Sequence, residues 1–281
     1  MEYKEIDRRS NLTPEQFREE YLIPNKPVVF TDLTKDWAAK DKWSAEFFKS
    51  QYGNIDVPVF SSNYSKPGKG YMSHDKEMNF KEFLEITEKG NTDLRLFLFD
   101  IFKHAPELKN DFQFPTIMKG FEKRLPFMFF GGKGSEVTMH YDIDCANVFL
   151  TQFVGNKRVV LCAPSESKKI YHHPVTVKSL VDFKNPDLQK FPAVKKAECF
   201  ETILRHGETI FMPSRYWHFM QYLDFSFGLA LRSYTNWGDR ATGIFNLAAH
   251  FLVDKGLNTV APKKWHDWKE QKAYKNAKAF E

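Results

Sequence analysis

Residues 135–153 read "SEVTMHYDIDCANVFLTQF". His140, Asp142 and Asp144 occupy alternate positions beside a run of apolar residues. Side chains of a β-strand alternate between its two faces, so the three would share one face if the strand ran through them. A buried strand face is ordinarily apolar, and burying an imidazole with two carboxylates needs a chemical reason. Downstream, "VFLTQFV" leads through Gly155-Asn156 into "KRVVLCA". Two apolar runs joined by Gly-Asn predict a tight β-hairpin of the II′ type.

Working outward, strand-like runs dominate from residue 95. "LRLFLFDIF" and "LPFMFFGG" precede the opening stretch, separated by a loop rich in Lys, Pro and Asn. After a polar, proline-punctuated excursion from Pro164 to Ala197 come "FETILR", "ETIFM", "WHFMQYL" and "FSFGLALRSY". His206-Gly207, Pro213-Ser214 and Asp224 divide these four runs. Many short strands at this spacing predict a barrel or jelly roll. The chain has 28 Phe and an aromatic share of 16%, a composition that suits broad pleated surfaces.

The first 94 residues mix helices and short strands. Thr13, Pro14 and Gln16 make a capping box. Ser44 caps a helix that Gly53 ends, and Asn79 with Glu82 opens another that stops at Gly90. "NKPVVF" and "VPVF" read as strands, and "SSNYSKPGKG" reads as a loop. Beyond residue 236, "RATGIFNLAAHFLVDKG" reads as an amphipathic helix and "PKKWHDWKEQKAYKNAKA" as a basic one. The expected organisation is therefore an N-terminal α/β region (1–94) packed on a β core (95–236), followed by C-terminal helices (237–281).

A chain of 281 residues with 42% hydrophobic and 27% charged residues has enough apolar material for a sizeable core. The net charge of +5 is too mild to single out a nucleic-acid partner, and the basic run from Lys263 to Lys278 reads as a solvated helix face. Three cysteines without CxxC spacing argue against a disulfide framework and a thiolate zinc site, and for a reducing compartment. "MEYKEIDRRS" has no apolar signal core, and no apolar run is long enough to span a bilayer. A cytoplasmic protein without a membrane partner is expected.

His140 and Asp142 form an H-x-D pair, and His218 stands in the later run "PSRYWHFM". Two imidazoles and one carboxylate at three corners of a barrel interior make a facial triad, a set that suits Fe(II) and leaves positions open for O2 and a second ligand. Asp144 competes with Asp142 but would stand near 7 Å further along the strand. His206 precedes a Gly207-Glu208 turn, His172 and His173 stand just before Pro174 in the excursion, and His250 falls in a helix. Loop or structural roles are expected for these four.

"MHYDIDCANVFLTQFVGNKRVVLCAP", "VDFKNPDLQKFP" and "HGETIFMPSRYWHFMQYL", in this order and spacing, resemble the JmjC (cupin-like) Fe(II)/2-oxoglutarate oxygenases. The hypoxia-inducible-factor asparaginyl hydroxylase and bacterial cupin-like proteins are nearest in pattern, and the likeness covers most of residues 20–235. The resemblance implies a mainly β, double-stranded β-helix (jelly-roll) fold with N-terminal helices and a C-terminal helical appendage. It implies His140, Asp142 and His218 as iron ligands, and a hydroxylase that converts 2-oxoglutarate and O2 to succinate and CO2 while hydroxylating a substrate. Lys157 matches the lysine that pairs with the distal carboxylate of 2-oxoglutarate. Arg232 in "LALRSY" is the rival cation, since other branches use a late-strand arginine.

Two positions depart from the pattern. Relatives read Thr-Pro-x-His where this chain has Val137-Thr138-Met139-His140, which places Thr138 one position nearer. Asn147 follows the H-x-D across a segment that is two residues longer. Both stay as candidate 2-oxoglutarate contacts. The substrate is expected to be a protein side chain or a small molecule. The C-terminal helices resemble a dimerisation appendage in which Trp237, Phe245, Leu247 and Phe251 would pair across a two-fold axis. Competing readings are a metal-dependent cupin enzyme that does not use 2-oxoglutarate, and a non-catalytic binding module.

Overall fold

The computed structural model describes residues 1–61, 74–235 and 237–281. Its centre is two sheets facing each other. A five-stranded sheet runs in the order β1 (Tyr3–Glu5), β13 (Cys199–Leu204), β12 (Lys157–Cys162), β15 (Trp217–Tyr222) and β10 (Glu136–His140). A seven-stranded sheet runs β2 (Arg8–Arg9), β3 (Val28–Phe30), β14 (Thr209–Met212), β11 (Asn147–Val154), β16 (Ser226–Ser233), β8 (Phe127–Gly131) and β7 (Arg95–Phe99). From β13 to β16 successive strands alternate between the sheets, and their neighbours in the core are antiparallel. This is a jelly roll, mainly β as expected. Two small ribbons, β4 (Asp56–Val59) with β5 (Lys76–Asn79) and β6 (Asn91–Thr92) with β9 (Lys133–Gly134), border it.

Side-chain alternation divides the apolar residues into three layers. Val148, Leu150, Val159, Leu161, Ile210, Met212, Met220 and Ala230 meet between the sheets. On the outer face of the seven-stranded sheet, Phe149, Phe153, Phe211 and Phe227 pack under the N-terminal helices, which contribute Phe17, Trp43, Phe48, Phe80 and Phe83. Much of the aromatic surplus lies here: Phe48 meets Phe130 edge-on at 5.5 Å and Phe227 edge-on at 5.3 Å, a favoured geometry for rings. The outer face of the five-stranded sheet carries Val160, Cys162, Trp217 and Phe219. The excursion covers it with Ile170, Tyr171 and Phe191, and the helix Pro262–Ala277 seats Tyr274 and Ala277 on the same layer.

Local signals behave as their chemistry dictates. Thr13 and Gln16 form the reciprocal capping box, Ser44 accepts from the Phe47 amide, and Asn79 accepts from the Lys81 amide. The expected loop "SSNYSKPGKG" lies, apart from Ser61, outside the described residues. The C-terminal segment is helical at Trp237–Ala248, Lys255–Val260 and Pro262–Ala277. Trp237, Phe245 and Phe251 are exposed on it. No helix among the described residues is long and apolar enough to cross a membrane.

Two expectations are corrected. Gly155-Asn156 does not close a hairpin: β11 pairs with β14 and β16, while β12 pairs with β13 and β15, so the turn carries the chain from one sheet to the other. Gly155 has φ +68°, and a Cβ there would meet the Phe225 carbonyl and Asp224. Asp224 accepts from the Asn156 amide at 2.6 Å and from Asn156 Nδ2 at 2.9 Å, which locks the corner. The second correction concerns cysteine. Cys162 and Cys199 stand opposite each other on β12 and β13, Cα to Cα 4.3 Å, and form a disulfide; only Cys145 is free, and it is buried. Local spacing rules miss this pair because the excursion leaves from one strand and returns on its neighbour. The cysteines therefore give no support to a reducing compartment.

Candidate active site

The two histidines arrive on neighbouring strands. His140 ends β10, His218 is the second residue of β15, and the register places them directly opposite each other. Their rings stand 4.2 Å apart between centroids. Strand β10 stops at His140, so Asp142 is not on the same strand as expected but in the turn that follows. Cys145, at φ +54° with its amide bonded to the Asp142 carbonyl, closes that turn. The turn brings Asp142 Oδ1 within 3.7 Å of His140 Nε2 and 3.8 Å of His218 Nε2. One ligating atom of each residue lies within 4.8 Å of the other two.

Tautomers follow from the hydrogen bonds. His140 Nδ1 donates to the Thr138 carbonyl at 2.8 Å, and His218 Nδ1 donates to the Tyr216 carbonyl at 3.1 Å. Both rings therefore turn an Nε2 lone pair inward, the arrangement a metal requires of histidine. Burial, reinforced by His218, carries the His140 pKa down to about 3 and keeps the ring neutral. For Asp142 burial pushes upward, but Arg232, then His218 and His140, outweigh it and bring the carboxyl to about 2. Two inward-facing imidazole nitrogens and an ionised carboxylate are the donor set of a divalent cation, and no thiolate stands among them.

The same cavity holds the candidate anchors. It is lined by the triad with Lys157, Arg232, Tyr222, Phe97 and Phe129, and by the apolar side chains between the sheets. Lys157 is 1% exposed, and its Nζ has no hydrogen-bond partner among the described residues. It rests over the Tyr222 ring at 4.5 Å. Desolvation alone carries its pKa down to about 7. Arg232 differs: its Nη2 donates to Asp142 Oδ2 at 3.2 Å, and its Nε stands 3.3 Å from Asp144 Oδ2. Asp144, the competitor of Asp142 in sequence, is no part of the triad; it helps hold Arg232 and in turn accepts from the Tyr234 hydroxyl at 3.0 Å.

Thr138 and Asn147 are not brought into this cavity. The Thr138 side chain is exposed, and Val137 occupies the lining position on β10. Asn147 is buried on the other face of β11, where its Oδ1 accepts from the Ser214 amide at 2.9 Å and its Nδ2 reaches the Ser233 carbonyl at 3.4 Å. Val148, the next residue, faces inward instead. His206 donates Nδ1 to the Phe153 carbonyl at 2.5 Å, away from the site. Phe97, Phe129 and Tyr222 line the cavity without having been singled out from sequence. Their alternation within "RLFLF", "FMFF" and "FMQY" was the available signal.

Comparison with known proteins agrees with this geometry. Residues 14–235 match the model of the cupin-like domain. Lysine-specific demethylase 8 of Xenopus tropicalis is 31% identical, over 77% of this chain and 50% of the relative. JmjC domain-containing protein D of Dictyostelium discoideum is 30% identical, over 80% of this chain and 55% of the relative. Human tRNA wybutosine-synthesizing protein 5 is 24% identical, over 94% of this chain and 92% of the relative. The chain thus spans about half the length of the first two. With the family model covering most of its length and the histidine–aspartate–histidine cluster in its cavity, this chain belongs to the JmjC/cupin-like family of 2-oxoglutarate oxygenases.

Proposed function

We propose that the protein is an Fe(II)- and 2-oxoglutarate-dependent dioxygenase that hydroxylates its substrate. The observation that carries this reading is the pairing, inside one cavity, of a histidine–aspartate–histidine donor set with a buried lysine whose Nζ has no hydrogen-bond partner among the described residues. His140 Nε2, His218 Nε2 and Asp142 Oδ1 would hold the iron. Bound there with 2-oxoglutarate, the iron supplies the activation of O2 that couples oxidative decarboxylation to insertion of an oxygen atom into a C–H bond.

The chain's own residues do the rest. Lys157 would take the distal carboxylate of 2-oxoglutarate, since an unpaired carboxylate inside this apolar barrel would be strongly disfavoured and so is the unpaired ammonium. Arg232 is engaged by Asp142 and Asp144, which supports reading it as the partner of the carboxylate ligand and Lys157 as the anchor. The apolar side chains between the sheets exclude water from the reacting centre. The relatives' names include protein demethylases and a tRNA-modifying protein. We read the chemistry here as hydroxylation of a C–H bond on a protein side chain or another molecule that presents one to the triad.

The test is succinate formation by the purified chain with Fe(II), 2-oxoglutarate and O2. Stoichiometric succinate that disappears when iron is withheld supports the reading. Iron binding without any succinate would favour a metal-dependent cupin enzyme of another kind.

A further inference from the structure

Asp142 reaches the triad from a turn, and a turn presents a ligand only as firmly as its own backbone is held. Strand β10 ends at His140 and β11 begins at Asn147, so residues 142–146 lie outside the sheet ladders. Four consecutive carbonyls of this turn meet four different groups. Asp142 accepts from the Cys145 amide at 3.0 Å, Ile143 from Asn246 Nδ2 at 3.4 Å, and Cys145 from Ser214 Oγ at 2.7 Å. The fourth, Asp144, faces Gly243. A Cβ built on that glycine would stand 2.8 Å from the Asp144 carbonyl carbon and closer still to its oxygen. Asn246 Nδ2 also lies 3.3 Å from Cys145 Sγ. Ser214 belongs to the loop that enters β15 just ahead of His218, so its bond ties the two ligand-bearing segments together.

Gly243 and Asn246 stand one turn apart on one face of the helix Trp237–Ala248. Glycine is a poor residue for a helix interior, because it gives up the most backbone freedom on folding. The close approach explains its place here: no side chain fits between the helix and the Asp144 backbone. Among the described residues, Gly243 is also the one member of this helix that is buried, while Ile244 and Phe245 beside it are exposed. The helix thus seats its one buried position on the ligand turn, and displacing either moves the other.

We infer that the helix Trp237–Ala248 clamps the turn that carries Asp142, with Gly243 and Asn246 as positioning residues for that ligand. The inference deepens the oxygenase reading and rests on it for the metal, but not for the support of the turn. Asn246→Asp is nearly isosteric; it replaces the Nδ2 donor with an acceptor oxygen and turns the bond to the Ile143 carbonyl into a repulsion. Gly243→Ala favours the helix by itself, yet its methyl group collides with the Asp144 backbone. Both full-length variants are compared with the wild type for Mn(II) affinity by calorimetry. They are also compared for amide hydrogen exchange at Cys145, whose N–H bonds to the Asp142 carbonyl. Each is expected to bind Mn(II) about 10- to 100-fold more weakly, the usual effect of removing a group that orients a metal ligand. Each is also expected to exchange the Cys145 amide faster, with the amides of β11 and β15 unchanged. Ala241→Ser, at an exposed position of the same helix, leaves both readouts at the wild-type level.

Wild-type Mn(II) affinity together with wild-type exchange at Cys145, in either variant, overturns the inference. So does weaker binding with faster exchange throughout β11 and β15, which is a general loss of structure and no positioning effect. The wild-type chain keeps the two readings apart. If it binds no Mn(II), the triad reading fails, while faster exchange confined to the turn still upholds the clamp. If it binds Mn(II) and the variants match it in both readouts, the clamp alone fails.

Discussion

Arg232 Nη2 lies 3.2 Å from Asp142 Oδ2, while the other oxygen of that carboxylate faces both histidines of the triad. One side chain therefore serves two masters, and the guanidinium keeps it ionised and oriented. Arg232→Met removes the partner of a buried carboxylate, a change that destabilises proteins by about 3–5 kcal/mol. Chemical denaturation should show a loss of that order, with weaker metal binding by calorimetry. Full metal affinity in the variant would mean that Asp142 is held by the turn alone.

Lys157 gives a pH signature. Its folded pKa of about 7 is below its ordinary 10.5, so the unfolded chain holds more protons between those values. Stability of the apo protein from this group therefore rises with pH across that window, and the penalty is full below it. The melting temperature should climb between pH 7 and 9 in the wild type, and Lys157→Met should be flatter and more stable. The same variant should lose 2-oxoglutarate affinity, read as a rise in KM for 2-oxoglutarate larger than the fall in kcat.

His140 predicts resistance of the metal site to mild acid. Because burial holds its ring neutral down to about 3, protons compete poorly for Nε2 near neutrality. Its contribution to stability is full above 6.5 and is lost as pH falls from there toward 3. Mn(II) affinity should change little between pH 8 and 6. A loss of about fourfold or more across that interval would show a ring that titrates like an exposed histidine.

The Cys162–Cys199 bridge closes a loop of 37 residues whose middle pairs with the ligand strand, Tyr141 amide to Val177 carbonyl at 3.1 Å and Ser179 amide to Met139 carbonyl at 3.0 Å. Loop-closure entropy for that length corresponds to about 4 kcal/mol. Denatured, unreduced protein should titrate one thiol, and Cys162→Ser should lower stability by up to that amount. Three titratable thiols would place the pair in its reduced form.

Much of this fold was legible because the strands of the core are short apolar runs between strong punctuation. The runs over Cys199–Ser233 fall where His206-Gly207, Pro213-Ser214 and Asp224 divide them. What sequence left hidden is which strand pairs with which. Gly155-Asn156 carries the residues of a hairpin turn, yet serves as a corner between sheets because Asp224, a residue far along the chain, captures the asparagine. The disulfide was hidden for the same reason, since strand adjacency and not spacing unites its halves. At the site, the triad could be read because imidazole and carboxylate side chains are rare so close to apolar strand runs, although Asp142 itself stands in the turn after β10. Thr138 was misplaced because one irregular register step, between Val137 and His140, decides which of the two neighbours faces the cavity.

The central claim is that His140, Asp142 and His218 hold a catalytic iron. Its most direct test is Fe(II)-dependent release of CO2 from 2-oxoglutarate by the wild type and by His140→Ala, Asp142→Ala and His218→Ala, each confirmed as folded. The account predicts turnover in the wild type and its loss in all three variants. Turnover at the wild-type level in any one of them would contradict it.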